Sequence, residues 1–178
     1  SINNNCSFSL NILHYIDNIN ETLLPIVIGS NVNLAKHLSN NFDGDFCNEI
    51  TSKENLLKTA NIYLRAPYLW GGKTPFGIDC SGLTQMVYRI NGYNIPRDAK
   101  DQSKHGTGLS FIDESEPGDL AFFDNSEGEI THVGLLLKNN HIIHAYGNVR
   151  IDKIDQTGIY NLESKRHTHS LRIIKKII

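Results

Sequence analysis

The stretch Val133–Leu137, Lys138-Asn139-Asn140, His141–Tyr146 constrains this chain more than any other. Two apolar runs flank a polar connection containing paired asparagines, which reads as a β-hairpin. A three-residue loop pairs Leu137 with His141, and therefore Gly134 with His144. Side chains alternate with period two, so His132 and His144 then share one face. They become diagonal neighbours roughly 7 Å apart at the backbone, with Gly134 leaving room between them. A two-residue loop would put them on opposite faces.

Other elements cluster by type. Residues 51–64 predict a helix, with Thr51 and Glu54 at capping-box spacing. Leu56, Leu57, Ala60, Tyr63 and Leu64 form its apolar face, and Ala66-Pro67 ends it. A loop rich in Gly and Pro follows over residues 70–77. A second helix is expected to start between Asp79 and Ser81, bury Leu83, Val87 and Ile90, and stop at Asn91-Gly92. Pro117-Gly118-Asp119 reads as a turn into strand-like runs at Leu120–Phe123, His132–Leu137, Ile142–Tyr146 and Leu171–Ile178. Helices first and an antiparallel meander after them make an α+β protein.

The first 50 residues differ in composition. They are Asn-rich, with one strand-like run at Leu23–Ile28 ended by Gly29-Ser30, and a turn at Phe42–Phe46. That is too little for a complete domain.

Bulk properties exclude several classes. The chain has 178 residues and a formal net charge of -2, which provides no basic field for nucleic acid. No apolar run approaches the roughly 20 residues of a membrane span. The start, Ser1-Ile2-Asn3, lacks the charged-then-apolar order of a signal peptide, so a cytoplasmic location is expected, or a periplasmic or secreted one if the N-terminus was cropped. Three cysteines (Cys6, Cys47 and Cys80) make no disulfide framework. Cys6 and Cys47 read as small buried hydrophobes in a reducing compartment.

Cys80 is different, because it falls where a loop becomes a helix. Free N–H groups and the positive end of the helix dipole favour thiolate there, so a lowered thiol pKa is expected. Thiolate is the attacking species in cysteine catalysis, and the Cys80 N–H could stabilise the resulting oxyanion. His132 would serve as base, and His144 would hold it in the useful tautomer. A competing use of the same residues is a zinc site of Cys80, His132, His144 and Asp124. No CxxC or HxxxH pair supports it. His167 and His169 could share a strand face as a weak metal signal. His14, His37, His105 and His141 look like loop or surface residues.

These residues resemble the NlpC family of papain-like cell-wall cysteine peptidases. The matching stretches are Tyr68–Gly72, Gly77-Ile78-Asp79-Cys80-Ser81-Gly82-Leu83, Pro117–Leu120, Thr131-His132-Val133-Gly134 and Ile143-His144-Ala145. Val149–Asp152 and Gly158–Asn161 further resemble the γ-D-glutamyl-L-diamino-acid endopeptidases of the dipeptidyl-peptidase VI type. The resemblance implies a papain-like fold over residues 51–178, with Cys80 as nucleophile, His132 as base and His144 as orienter. It implies that Tyr68 assists the oxyanion and that Asp79 and Ser81 help bind the free amine of an L-Ala residue. For Asp79 the competing reading is a plain helix N-cap. Trp70 either lines a substrate groove or sits in the core. Ala99 stands where several relatives in that subgroup have a hydroxyl residue, and Arg97 with Asp98 reads as an ion pair or turn. Residues 1–50 resemble the end of a bacterial Src-homology-three-like barrel. The implied substrate is a peptidoglycan-derived peptide, a short fragment with free N-terminal L-Ala, cleaved between γ-D-Glu and a diamino acid by a monomer needing no cofactor, nucleic acid or membrane. The alternatives are another papain-like cell-wall amidase or acyltransferase, and a non-catalytic cell-wall-binding module.

Overall fold

The structure is a computed structural model and describes residues 6–18, 20, 22–33, 35 and 40–178. His37 lies outside the described residues.

The N-terminal part contains β1 (Phe8–Ser9), β2 (Leu13–Asn18), β3 (Leu23–Val27), β4 (Asn40–Asn41) and β5 (Phe46–Cys47). β2 pairs with both β3 and β4, and β1 pairs with β5. The expected run at residues 23–28 is β3, closed by a turn in which Gly29 has φ +79°. That left-handed conformation suits a residue without Cβ. Cys6 and Cys47 are half-buried free thiols and not core residues, which corrects the sequence reading.

Helix α1 spans Lys53–Ile62 with Ser52 as N-cap, so the expected Thr51 capping box does not form. Thr51 instead donates its hydroxyl to the Asn91 side chain, which ends the second helix. Leu56, Ala60 and Tyr63 are buried, while Leu64 is exposed. Arg65 turns the chain with φ 74°. Strands β6 (Lys73–Thr74) and β7 (Gly77–Ile78) form a small hairpin within the predicted loop. Helix α2 spans Cys80–Ile90, as expected, and buries Leu83, Val87 and Ile90. A one-turn helix α3 covers Ala99–Gln102.

The main sheet contains β8 (Thr107–Leu109), β9 (Leu120–Asp124), β10 (Ile130–Leu137), β11 (His141–Tyr146), β12 (Asn148–Ile154), β13 (Gly158–Asn161) and β14 (Arg166–Lys176). Strands β9 to β13 form the antiparallel meander. β14 then pairs with β9 on one edge and β13 on the other, closing the sheet into a barrel. An open meander is therefore the wrong expectation. Closure removes the unpaired edges that a free sheet would expose.

Alternation along the strands builds two cores. Leu120, Phe122, Val133, Leu135, Ile143, Ala145 and Val149 face the helices. Ala121, Phe123, Leu136, Ile142, Ile154, Ile159 and Ile174 face the barrel interior. Both faces are covered, which explains why β9 reads as a continuous apolar run. Polar bonds fix the helices on the sheet. Tyr88 donates its hydroxyl to the Gly118 carbonyl at 2.6 Å, and Lys53 reaches the buried Asp119 carboxylate at 2.8 Å.

Candidate active site

The β10–β11 register is the predicted one: Leu137 pairs with His141 and Gly134 with His144. Asn139 and Asn140 supply the positive φ angles of the connection, at 58° and 54°. A Cβ on Gly134 would lie 2.6 Å from Ile142 Cδ1 and 3.0 Å from His144 Cβ, so the bare backbone is needed there. The two histidines meet, with 2.9 Å between His132 Nε2 and His144 Nδ1. Both rings are buried.

A third group continues the line. His144 Nε2 lies 3.1 Å from Asp152 Oδ2, and Asp152 pairs with Arg150, whose Nε is 2.8 Å away. Asp152 is 2% exposed. The sequence reading gave no role to Asp152 or Arg150. The available signal was parity, since Asp152 stands two residues from the inward-facing Ile154 in β12. A charged residue at an inward position requires a partner.

His169 was also missed as a neighbour of the site. Its ring stacks on that of His132 with 4.2 Å between centroids, and Tyr146 meets it edge-on. His167 goes elsewhere and bonds Asp155 at 2.9 Å, so the pair does not act together as a metal signal. Asp124 pairs with Arg172 at 3.7 Å. Among the described residues no group of three or more His, Cys, Asp or Glu side chains is arranged to hold a metal ion.

Cys80 opens α2, and Asp79 is its N-cap, accepting from the Gly82 N–H at 2.7 Å. Gly82 must lack a side chain, because a Cβ would stand 2.4 Å from the Gly72 carbonyl oxygen. The other Asp79 oxygen accepts from the Gly71 N–H at 2.7 Å. Arg97 then binds both oxygens, at 2.9 and 2.6 Å, and donates to Ser81 Oγ at 2.9 Å. Arg97 does form an ion pair, but its partner is Asp79. Asp98 caps α3. Such a two-pronged guanidinium–carboxylate pair is among the stronger polar contacts.

A cleft of about 720 Å³ is lined by these groups, among them Gly71, Asp79, Cys80 and Ser81, together with Ile130 and Thr131. Arg97, Ala99 and Trp70 also line it. Trp70 is 84% exposed, which excludes the core reading. Tyr68 is exposed, and burial of part of its ring, with the Asp79 charge adding to it, raises its hydroxyl above the ordinary value.

Electrostatics run against one expectation. Burial pushes the Cys80 thiol above its ordinary value, and the nearby Asp79 charge adds to that. Backbone hydrogen bonding from Val133, Ser81 and Cys80 itself works the other way without prevailing. A helix start alone therefore does not yield a thiolate here, because desolvation costs more than the N–H groups return. Burial also holds His132 well below its ordinary value, reinforced by His144 and His169. His144 is lowered by burial despite Asp152. Burial opposes the charge on Asp152, but its bonds to His144 and Arg150 outweigh that and keep it ionised. The resting site thus pairs a neutral thiol with neutral imidazoles.

The sequence model of the NlpC/P60 family matches residues 65–168. That span contains Cys80, both catalytic-candidate histidines and the cleft. The chain belongs to the NlpC/P60 family. It is 45% identical over 94 residues to a gamma-D-glutamyl-L-lysine dipeptidyl-peptidase of Bacillus subtilis, covering 52% of this chain and 31% of the relative. The match spans between 20% and 37% of the length of these curated relatives. Among solved structures, an NlpC/P60 family protein from Bacillus cereus superposes with a TM-score of 0.76 at 20% identity, covering 98% of this chain and 64% of that one. The NlpC/p60 domain of the peptidoglycan hydrolase SagA superposes with a TM-score of 0.56 at 26% identity, covering 71% of this chain and 99% of that one. Within that matched span, the backbone hydrogen bond from Val133 sets the Cys80 thiol against β10.

Proposed function

We propose that this chain is a papain-like cysteine peptidase that hydrolyses the bond between γ-D-Glu and a diamino acid in peptidoglycan stem peptides. The observation that carries this is the aligned His132–His144 pair together with Cys80, whose thiol takes a backbone hydrogen bond from Val133, the residue after His132, and lines the cleft. The names of the matched relatives support the bond class.

In this reading the Cys80 thiol gives its proton to His132 Nδ1 as substrate enters. The nitrogen on the far side of that ring is already engaged by His144. The sulfur attacks the γ-carbonyl carbon, and the Cys80 N–H and the Tyr68 hydroxyl receive the oxyanion. His132 returns the proton to the leaving amine as the C–N bond breaks, leaving a thioester. Water then gives a proton to His132 and its oxygen to the acyl carbon, and the thiolate leaves and is reprotonated.

The preference for a free N-terminal L-Ala belongs to the same proposal. Asp79 and Ser81 line the cleft beside the nucleophile. Arg97 already holds both carboxylate oxygens, so a substrate ammonium would share them with the guanidinium. Residues 1–50 are proposed to belong to a Src-homology-three-like barrel. In support, the Bacillus cereus protein matches almost the whole chain, while the isolated SagA domain matches 71% of it. A cytoplasmic, monomeric enzyme acting on released peptides completes the reading.

Mass analysis of L-Ala-γ-D-Glu-diamino-acid tripeptide, incubated with the protein or its Cys80→Ala variant, tests the reaction. Release of the diamino acid by the unaltered protein alone supports it, and equal cleavage by both ends it. Equal cleavage of the N-acetylated tripeptide would end the free-amine preference.

A further inference from the structure

We propose that Asp152 is the residue that sets the proton arrangement of the whole histidine line, acting as a positioning residue through His144. The inference rests on the proposed roles of His132 and His144, and it adds a fourth member behind them.

A neutral imidazole carries one proton and presents one lone pair. Between His132 Nε2 and His144 Nδ1, 2.9 Å apart, one proton must lie. Two arrangements satisfy that contact. If the proton belongs to His144 Nδ1, then His132 Nε2 is the acceptor and the His132 proton sits on Nδ1. The ring would then have no lone pair with which to take the thiol proton. If it belongs to His132 Nε2, His132 Nδ1 is free to act as base. The histidine pair alone does not choose between them.

Asp152 chooses. An ionised carboxylate only accepts, so His144 Nε2, 3.1 Å away, must donate to it. His144 Nδ1 is then the bare nitrogen, and it accepts from His132 Nε2–H. The charge is kept on Asp152 by Arg150, which reaches both carboxylate oxygens at 2.8 and 3.2 Å and is itself held by Glu163. Strand geometry makes the arrangement rigid: Arg150 is the direct cross-strand partner of His144, and Asp152 that of Ile142. The other groups around His144 are the His169 ring and Tyr146, neither of which supplies a second anion.

The carboxylate also has a role once His132 becomes cationic. A buried anion one imidazole away favours the imidazolium, so its loss should lower the pKa at which the cation gives up its proton.

The test combines a resting-state readout with kinetics. Nitrogen-15 shifts of the imidazoles of the unaltered protein should show the proton on Nε2 of both His132 and His144. In Asp152→Asn, the side-chain oxygen is drawn to Arg150 and the amide presents N–H to His144, which favours the wrong tautomer. Its kcat on the tripeptide should fall about 10²-fold or more with KM nearly unchanged, the range of a lost general base. The acid limb of its pH–rate profile, where neutral His132 takes up a proton, should move to lower pH by about one unit. Asp152→Glu, which keeps an acceptor-only group, should recover part of the rate. A proton on Nδ1 of either ring in the unaltered protein overturns the proposal, as does a wild-type kcat in Asp152→Asn. The nitrogen readout needs neither variant nor turnover, so it decides even if Asp152→Asn fails to fold. If Cys80→Ala still cleaves while both rings carry Nε2–H, the peptidase reading fails and the tautomer assignment stands.

Discussion

His132 and His144 stand twelve residues apart in the chain, yet 2.9 Å separates Nε2 of one from Nδ1 of the other. The contact exists because a three-residue connection sets the strand register and because Gly134, opposite His144, has no side chain. Each feature is open to perturbation.

Gly134→Ala is expected to damage the site from within. The new Cβ would stand 2.6 and 2.8 Å from Ile142 Cδ1 and Cγ1 and 3.0 Å from His144 Cβ, so the Ile142 side chain must shift and His144 is crowded. Overpacking of this kind costs about 1–3 kcal/mol. Chemical denaturation should show that loss, and kcat should fall at least tenfold while the denaturant slope stays unchanged.

Arg97→Met should strand a buried carboxylate. Asp79 keeps its two backbone donors but loses both guanidinium bonds. Burial then pushes the carboxyl upward, because Arg97 is the first of the contacts that hold it below the usual carboxylate range. A stability loss of about 1–3 kcal/mol is expected for an unpaired buried group. Adding Asp79→Asn should restore part of it, which a double-mutant cycle measures.

Thiol alkylation reports the resting protonation of Cys80. Burial raises this thiol above its ordinary value of 9.0. Iodoacetamide should therefore react slowly at pH 7 in the absence of substrate, and its rate should climb through pH 9 without levelling. A plateau below pH 7 would instead reveal a preformed thiolate–imidazolium pair.

Stability should fall on acidification through the histidine cluster. His132, His144 and His169 are all lowered by burial from 6.5, His169 to about 4. The unfolded chain thus binds protons that the folded chain refuses, so unfolding free energy rises with pH across that interval. The contribution is complete above about pH 6.5 and is lost as pH falls toward 4. Melting temperature measured between pH 4 and 7 should drop toward the acid end, and His169→Phe should flatten the slope. An unchanged slope would show that His169 does not contribute.

Much of the site was legible from local pattern. The Leu83, Val87 and Ile90 stripe and the Asn91-Gly92 stop located α2, and with it the position of Cys80 at a helix start. The connection at residues 138–140 located the face shared by His132 and His144. The Thr51 capping box failed because a neighbouring serine took the cap and the Asn91 side chain took the hydroxyl. Trp70 could not be placed from sequence, since its exposure depends on what lies across the cleft. Arg97 could not be matched with Asp79, because its approach comes from a loop that the helix periodicity does not describe.

Turn chemistry and side-chain period act within about a dozen residues, and the hairpin, the helix start and the resemblance of the motifs all live on that scale. The return of β14 between β9 and β13, the stacking of His169 on His132 and the seating of Asp152 behind His144 depend on strands far apart in the chain. The thiol shows the difference best. Its place at a helix N-terminus is a local fact that favours the anion, while its desolvation is a sum over every element packed around it, and that sum prevails.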